Sequence, residues 1–348
     1  MEAPIKVPID VRFEDFWYVV ASSEKLTPKT VLQRTVLDEW LVIFRGADGQ
    51  PVALRDRCLH RNTRLSGGQV HQGRLTCPYH GWQYSKTGQV VHVPAEGDGF
   101  TATLGRCAKA YDTCEQDGYV YVRLCGALDT QPFDMPHYQE PGWETVRVIN
   151  RFANGVTNCA ENFIDIPHTV SVHPGIFRTA RQQPLAMAVE RHRGTVTATY
   201  RNETNNLGWS RWFLNPKGHE IYHRDAFHMP NVTSVEYTMG PRRRCFITSQ
   251  SIPESENSTL VYTDVTFNYG MWTWLAKPFV RWTAQRIIDQ DIVALAVQGD
   301  AIAKYGTHFH HTPADTIHSF VESIRDAIAA GKDPRTLPHK SADDTFWV

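Results

Sequence analysis

The chain has 348 residues, 41% of them hydrophobic and 21% charged, and a formal net charge of −1. This is a globular composition with enough length for two cores, and its balanced charge argues against nucleic acid or an anionic membrane surface as the main partner. No apolar run is long enough to span a bilayer. Met1 to Arg12 lack the regions of a signal peptide, and the seven cysteines are scattered, which favours a reducing cytoplasm. We expect five of them to be buried free thiols: Cys107, Cys114, Cys125, Cys159 and Cys245.

The first part of the chain is predicted to be a small all-β domain. Hydrophobic runs separated by turn signals mark the strands, and two of the hairpins turn at Gly46-Ala47-Asp48-Gly49 and Lys86-Thr87-Gly88. The predicted strands cover residues 16–20, 41–45, 52–55, 82–85, 90–93 and 118–124.

Two loops of this domain carry paired cysteine and histidine residues. They read Cys58-Leu59-His60-Arg61 and Cys77-Pro78-Tyr79-His80-Gly81-Trp82, with a Gly67-Gly68 turn between them. Two thiolates and two imidazoles suit either a tetrahedral zinc site or a [2Fe–2S] cluster with two Cys on one iron and two His on the other. Each loop supplies one Cys and one His, whereas zinc ribbons usually pair like with like, so the spacing favours the cluster and leaves zinc as the alternative.

A proline-rich stretch, residues 126–142, is predicted to link this domain to a second one. There we expect a helix over 156–166, a β-rich region over 185–269 and a long helix over 279–304. A last helix should begin at Thr312, with Thr312 as N-cap, Pro313 in the first turn and Asp315 near the positive end, and should stop at Gly331.

A second group of candidate ligands follows the linker. Asn162, Asp165, His168 and His173 are closely spaced, and prolines at 167 and 174 predict that the helix ends there, so that both imidazoles could approach one ion. An Fe(II) centre that activates O2 typically has two His and one carboxylate, with open positions opposite. The sequence therefore predicts a third, acidic ligand elsewhere.

Asp291 is the candidate for that acid. On a helical wheel it lies within the apolar stripe of the long helix, between Ile288 and Leu295. A carboxylate that faces a core is costly unless it is paired or binds a metal. A salt bridge to Arg281 or Arg286 is the alternative to ligation.

These motifs, in this order, resemble the Rieske non-heme iron oxygenases, α-subunit or catalytic component, over most of the chain. The resemblance implies a Rieske [2Fe–2S] cluster on Cys58, His60, Cys77 and His80, and a mononuclear Fe(2+) on His168, His173 and Asp291. It also implies that Asp165 joins the two centres, with Asn162 in the same catalytic motif. One departure is Ala296, where related enzymes often have Glu five residues after the ligand Asp.

The expected fold class is α+β: a Rieske domain over residues 1–130, then a helix-grip-like catalytic domain over 131–348 with an antiparallel sheet and long C-terminal helices. About 15 N-terminal residues are expected to pack on the catalytic domain. Two cores of this size sit on the order of 30 Å apart, too far for fast electron transfer. In the family a head-to-tail homotrimer solves this, and we expect Asp165 to hydrogen-bond His168 and a cluster histidine, His60 or His80, of the neighbour.

The expected function is that of a terminal oxygenase. The chain lacks a dinucleotide fingerprint, so its electrons must come from another protein. The resemblance implies that this donor is a ferredoxin or a flavin reductase fed by NADH or NADPH. The single short chain resembles the monooxygenase and demethylase branch, which predicts hydroxylation or oxidative O- or N-demethylation of an apolar, aromatic small molecule in aromatic catabolism. The alternatives are arene cis-dihydroxylation, a Rieske electron carrier without catalysis, and a zinc-stabilised binding module.

Aromatic residues of the second half are candidates for an apolar substrate pocket, although packing in the core is the more common role of such side chains. They are Trp209, Trp212, Phe213, Phe227, Trp272 and Trp274.

Overall fold

The computed structural model describes residues 11–102, 105–176, 183–201, 203, 215, 217–240 and 243–348. It divides the chain into two compact units, one of Phe13–Asp134 with Pro253–Ser255, the other of Met1–Arg12, Met135–Ile252 and Glu256–Val348.

The first unit is all-β, as the sequence predicts. One antiparallel sheet has six strands in the order β1-β10-β9-β4-β3-β2, and a smaller sheet has four in the order β5-β6-β7-β8. The strands are β1 (Tyr18–Ser22), β2 (Leu32–Val36), β3 (Glu39–Arg45), β4 (Pro51–Arg55), β5 (Gln69–His71), β6 (Arg74–Thr76), β7 (Gln83–Tyr84), β8 (Val90–His92), β9 (Ala110–Gln116) and β10 (Tyr119–Arg123).

The core of this unit holds both loop cysteines. Cys58 and Cys77 pack with Phe44, Leu65 and Tyr84 in one cluster of buried side chains. The close packing leaves no room for a side chain at Gly68, where an added Cβ would lie 2.0 Å from the carbonyl oxygen of Thr76. The Gly67-Gly68 turn therefore lets the two ligand loops approach each other.

The second unit is built on an eight-stranded antiparallel sheet in the order β11-β17-β16-β15-β14-β13-β12-β18. Its strands are β11 (Glu144–Phe152), β12 (Pro184–His192), β13 (Thr195–Arg201), β14 (Ile221–His228), β15 (Val232–Met239), β16 (Arg244–Ser255), β17 (Ser258–Asn268) and β18 (Lys340–Trp347). Its α-helices are α1 (Val156–Asn162), α2 (His168–Ser171), α3 (Thr273–Tyr305) and α4 (Thr316–Ala329). The α+β fold class is confirmed.

Three helix predictions need adjustment. The helix predicted over 156–166 ends at Asn162 as α1, and a separate short helix, α2, begins at His168 directly after Pro167. Helix α3 begins six residues before the predicted start and continues through Pro278, its sixth residue. The capping box predicted at Thr312 is present with Asp315, but it caps a 3₁₀ turn, Pro313–Asp315, and α4 itself begins at Thr316.

Helix α3 packs on β11 and β17, and this contact buries the stripe predicted from the wheel. Val280, Ile288, Asp291 and Leu295 are all buried there, among the apolar residues of the second core. Among the described residues, no helix combines the length and apolarity needed to cross a membrane.

The seven cysteines are free thiols. The expectation that the five outside the loops are buried is right for Cys159 and Cys245 but wrong for Cys107, which is exposed, and only partly right for Cys114 and Cys125.

Candidate metal centres

Each cysteine–histidine loop is closed by its own backbone. The N–H of Cys58 donates to the carbonyl of Thr63 at 2.8 Å, and the N–H of Cys77 donates to the carbonyl of Trp82 at 2.8 Å. Gly81 has a φ of +71°, in the left-handed region that favours glycine, so the chain turns back directly after His80. These turns fix the direction of both ligand pairs.

The four candidate ligands divide between core and surface. Cys58 and Cys77 are 1% and 3% exposed, whereas His60 is half-buried and His80 exposed. The two imidazole rings lie side by side, with centroids 4.4 Å apart. A cluster with one sulfur-bound iron and one nitrogen-bound iron fits this division, with the histidine-bound iron near the surface.

The donor atoms in these loops fit such a cluster. His60 stacks on Trp82 with centroids 5.0 Å apart and 2° between the planes. Its Nδ1 is buried and has no hydrogen-bond partner in the described part of the chain, which is costly unless the nitrogen binds an iron. Burial raises the pKa of Cys77, while backbone N–H groups of Tyr79 and His80 favour its thiolate.

Tyr84 contributes to this centre in a way that the sequence did not reveal. Its hydroxyl is fully buried, donates to Cys58 Sγ at 3.2 Å and accepts the N–H of Leu59 at 2.9 Å. Burial and the adjacent Cys58 sulfur raise the pKa of Tyr84, so the hydroxyl stays protonated and remains a donor. From the sequence, a tyrosine at this position in a strand is expected only to pack in the core. The tertiary structure is what brings its hydroxyl to the sulfur of Cys58.

We expect Tyr84→Phe to lower the reduction potential of the cluster. Reduction adds negative charge, which a donor to sulfur stabilises by about 1 kcal/mol, equivalent to on the order of 50 mV for one electron. An EPR-monitored redox titration measures the shift. Tyr79→Phe, at an exposed tyrosine of the second loop, is the matched control, and equal potentials in both variants would contradict the role of Tyr84.

The second candidate centre brings together His168, His173 and Asp291. Their ligand atoms all lie within 4.8 Å of one another. Asp291 Oδ1 is 3.1 Å from His173 Nε2 and 3.6 Å from His168 Nε2. The structure thus brings the middle of α3 next to the first residue of α2 and the segment that follows α2, as the sequence predicts.

Both imidazoles are oriented through their other nitrogen. His168 Nδ1 donates to the backbone carbonyl of Asp165 at 2.5 Å, and His173 Nδ1 donates to Gln290 Oε1 at 2.9 Å. These bonds fix the tautomer that leaves Nε2 free to bind a metal. The sequence did not indicate a role for Gln290. On the helical wheel it lies about 100° from Asp291, so it is not expected to face the histidines.

The charge balance of this trio suits a cation. Burial alone would lower the pKa of His168, but the adjacent carboxylates of Asp165 and Asp291 raise it to about 9. Burial alone would raise the pKa of Asp291, but the two histidines hold it below its usual value. A metal ion must therefore displace a proton at neutral pH, because only neutral imidazole is a ligand.

The predicted alternative, a salt bridge from Asp291 to arginine, is wrong. Arg281 donates to the carbonyl of Arg147 at 3.4 Å, and Arg286 lies over the ring of Trp282. Asp291 Oδ1 is buried without a hydrogen bond of normal geometry to any described residue. An orphaned carboxylate oxygen beside two imidazole nitrogens fits a mononuclear metal site.

Asp165 contacts His168 in a different way from the one predicted. Its carboxylate Oδ2 accepts the backbone N–H of His168 at 3.3 Å and lies 3.5 Å from ring Nδ1, too far for a hydrogen bond. The ring bonds instead to the backbone carbonyl of Asp165. Asn162, at the end of α1, has a buried Nδ2 without a partner in the described part of the chain, and it lines the cavity beside the metal site.

A cavity of about 110 Å³ adjoins the three candidate ligands. Its described lining is largely apolar and includes Phe163, Val235, Ile247, Ile287 and Ile288. It also includes a second polar group, His223 and Asp225, which the sequence analysis missed. These two residues could have been found from the alternation of side chains along β14. That alternation places His223 and Asp225 on the same face of the strand as the apolar Ile221 and Phe227.

The aromatic pocket candidates do not line the described part of this cavity. Phe227 is fully buried in the core, as expected, whereas Trp274 is 66% exposed on α3. Trp209, Trp212, Phe213 and the side chain of Trp272 lie outside the described residues.

Comparisons with known protein families match both halves of the chain. Residues 16–111 match the Rieske [2Fe-2S] domain, and residues 156–317 match the vanillate O-demethylase oxygenase C-terminal domain. The first match contains all four loop ligands, and the second contains His168, His173 and Asp291.

Curated relatives and solved structures agree with these matches. The chain is 31% identical to methylxanthine N1-demethylase of Pseudomonas putida over 203 residues, 53% of this chain and 54% of the relative. It is 32% identical to the oxygenase component of dicamba O-demethylase of Stenotrophomonas maltophilia over 160 residues, 45% of this chain and 46% of the relative. The chain thus spans about half the length of these relatives.

The fold is similar to that in the crystal structure of dicamba monooxygenase bound to dicamba, with a TM-score of 0.80 at 22% identity over 92% of this chain and 99% of that one. The first unit carries the cysteine and histidine ligands of a Rieske cluster, and the second carries a site of two histidines and one carboxylate. The two family models match these units in the same order along the chain. The chain therefore belongs to the Rieske non-heme iron oxygenases, as an α-subunit with a [2Fe–2S] cluster and a mononuclear iron.

Proposed function

We propose that the protein is the terminal oxygenase of a Rieske system and hydroxylates or oxidatively demethylates an apolar, aromatic small molecule. The observation that carries this is the convergence of His168, His173 and Asp291 at a largely apolar cavity. An electron carrier without catalysis needs no such second site. The relatives with demethylase names support the branch.

We assign the ligands by residue. Cys58, His60, Cys77 and His80 would hold the cluster, and His168, His173 and Asp291 the mononuclear iron. When bound, the cluster supplies single electrons and the iron activates O2. The chain fixes the histidine tautomers through Asp165 and Gln290, and the apolar walls of the cavity exclude water and position the substrate.

Electron delivery to this site requires partners. We propose a ferredoxin or flavin reductase as the donor, and a cytoplasmic head-to-tail homotrimer in which the cluster of one chain serves the iron of the next. Residues 1–130 would form the Rieske domain and 131–348 the catalytic domain. Asp165 would then accept a hydrogen bond from His60 or His80 of the neighbouring chain.

The test is turnover with a generic reductase and a panel of methoxy- and N-methyl-substituted aromatic compounds. We expect compound-dependent O2 uptake, release of formaldehyde and one labelled atom from ¹⁸O2 in the organic product, in protein that holds three iron atoms per chain. Two labelled atoms in one product would instead indicate cis-dihydroxylation. Two iron atoms and no uptake would indicate an electron carrier, and colourless zinc protein a binding module.

A further inference from the structure

A buried group of one histidine and two carboxylates lies beside the proposed iron site. His223 Nδ1 is 2.8 Å from Glu203 Oε2, and His223 Nε2 is 2.9 Å from Asp225 Oδ1. His223 and Asp225 are each 1% exposed and both line the same cavity as His168, His173 and Asp291. His223 and Asp225 occupy inward-facing positions of β14, where a strand normally places apolar side chains.

His223 is held in its charged form. Burial alone would lower its pKa, but the charges of Asp225 and Glu203 raise the pKa to about 9. The ring also lies between Tyr200 and Tyr237, with centroids 4.7 Å and 4.2 Å away, where aromatic faces stabilise a cation. Both N–H groups are therefore committed to carboxylates, and the ring has no donor left for a ligand.

Asp225 has a free acceptor. Its Oδ1 receives the hydrogen bond of His223, and its Oδ2 takes part in no hydrogen bond with a described residue. Two carboxylates facing one imidazolium give the group a net negative charge among the described residues. None of the described residues that line the cavity is Lys or Arg.

The side chain of Asp225 lines the cavity and is only 2% exposed, so a carboxylate oxygen there that lacks a donor is poorly hydrated, and a ligand that donates a hydrogen bond replaces the missing water. An anionic ligand would meet a group in which two carboxylates outnumber the single imidazolium, with no described lining Lys or Arg to offset the excess negative charge. We propose that the substrate of this site carries an O–H or N–H group that donates to Asp225 Oδ2, and that the cavity selects such donors over anions. This rests on the proposed function, since it assumes that the cavity is the substrate site.

The test uses anaerobic holoenzyme and four probes that share one ring: benzyl alcohol, benzylamine, toluene and benzoate. Calorimetric titration gives each Kd, and perturbation of the nitrosyl EPR signal of the mononuclear iron shows that the probe enters this cavity. We expect benzyl alcohol or benzylamine to bind at least tenfold more tightly than toluene and benzoate. Asp225→Asn should remove most of this preference, by roughly ten- to a hundredfold, as expected for a lost charge-assisted bond.

Ser249→Ala is the matched control, because Ser249 lines the same cavity with a neutral hydroxyl. It should keep the wild-type order of affinities. Benzoate as the tightest probe, an unchanged order in Asp225→Asn, or no probe perturbing the iron signal would overturn the proposal. If Asp225→Asn does not fold, the wild-type order alone decides.

The two proposals can fail separately. Donor selectivity in protein that shows no oxygenase turnover would support the role of Asp225 and contradict the proposed function. Oxygenase turnover of anionic aromatic compounds, unaffected by Asp225→Asn, would support the function and contradict this inference.

Discussion

Asp291→Ala is expected to abolish the mononuclear iron and all turnover, while the [2Fe–2S] cluster remains. The substitution removes the carboxylate that lies 3.1 Å from His173 Nε2 and 3.6 Å from His168 Nε2. Two neutral imidazoles alone bind Fe(II) weakly, because no negative ligand offsets the metal charge. Iron analysis should fall from three atoms per chain to two, with the EPR signal of the reduced cluster unchanged.

Asp289→Ala is the matched control for this prediction. Asp289 lies two residues earlier on α3, is exposed, and accepts a hydrogen bond from Gln285 at 2.8 Å. It should retain three iron atoms and full turnover. An Asp291→Ala protein that keeps its third iron would remove Asp291 from the ligand set.

Asp165→Asn is expected to retain both metal centres and to slow electron transfer between them by on the order of a hundredfold, the scale of loss when a positioning group is removed. The ring of His168 bonds to the backbone carbonyl of residue 165, which this substitution leaves in place. The iron ligand should therefore keep its orientation. What the substitution removes is the negative charge of the Asp165 carboxylate, which we propose accepts a hydrogen bond from a neighbouring chain.

Single-turnover kinetics measure this effect directly. The pre-reduced enzyme, mixed with O2 and a substrate, should reoxidise its cluster slowly in Asp165→Asn, while iron content and cluster potential match the wild type. Asp289→Asn controls for a general loss of charge near the site. Loss of iron in Asp165→Asn would instead assign Asp165 a structural role, and wild-type kinetics would contradict any role in transfer.

The sequence determined the parts of this protein that depend on local spacing. The Cys–His loops are short, so their ligand pairs are brought together by two or three residues of chain and a tight turn. The burial of Asp291 followed from the 3.6-residue period of α3, because an amphipathic helix presents the same face to the core whatever packs on it. The capping box of Thr312, at the start of the 3₁₀ turn that leads into α4, is local in the same way.

Only the tertiary structure decided which distant residues meet. Strand β18 was missed because Lys340–Trp347 is a mostly exposed, charged edge strand, and its pairing with β12 joins residues far apart in the chain. Three side-chain contacts likewise cannot be predicted from any sequence periodicity. They join Tyr84 to Cys58, Gln290 to His173 and His223 to Glu203. They depend on the register of whole strands and helices, which the packing of the complete core selects.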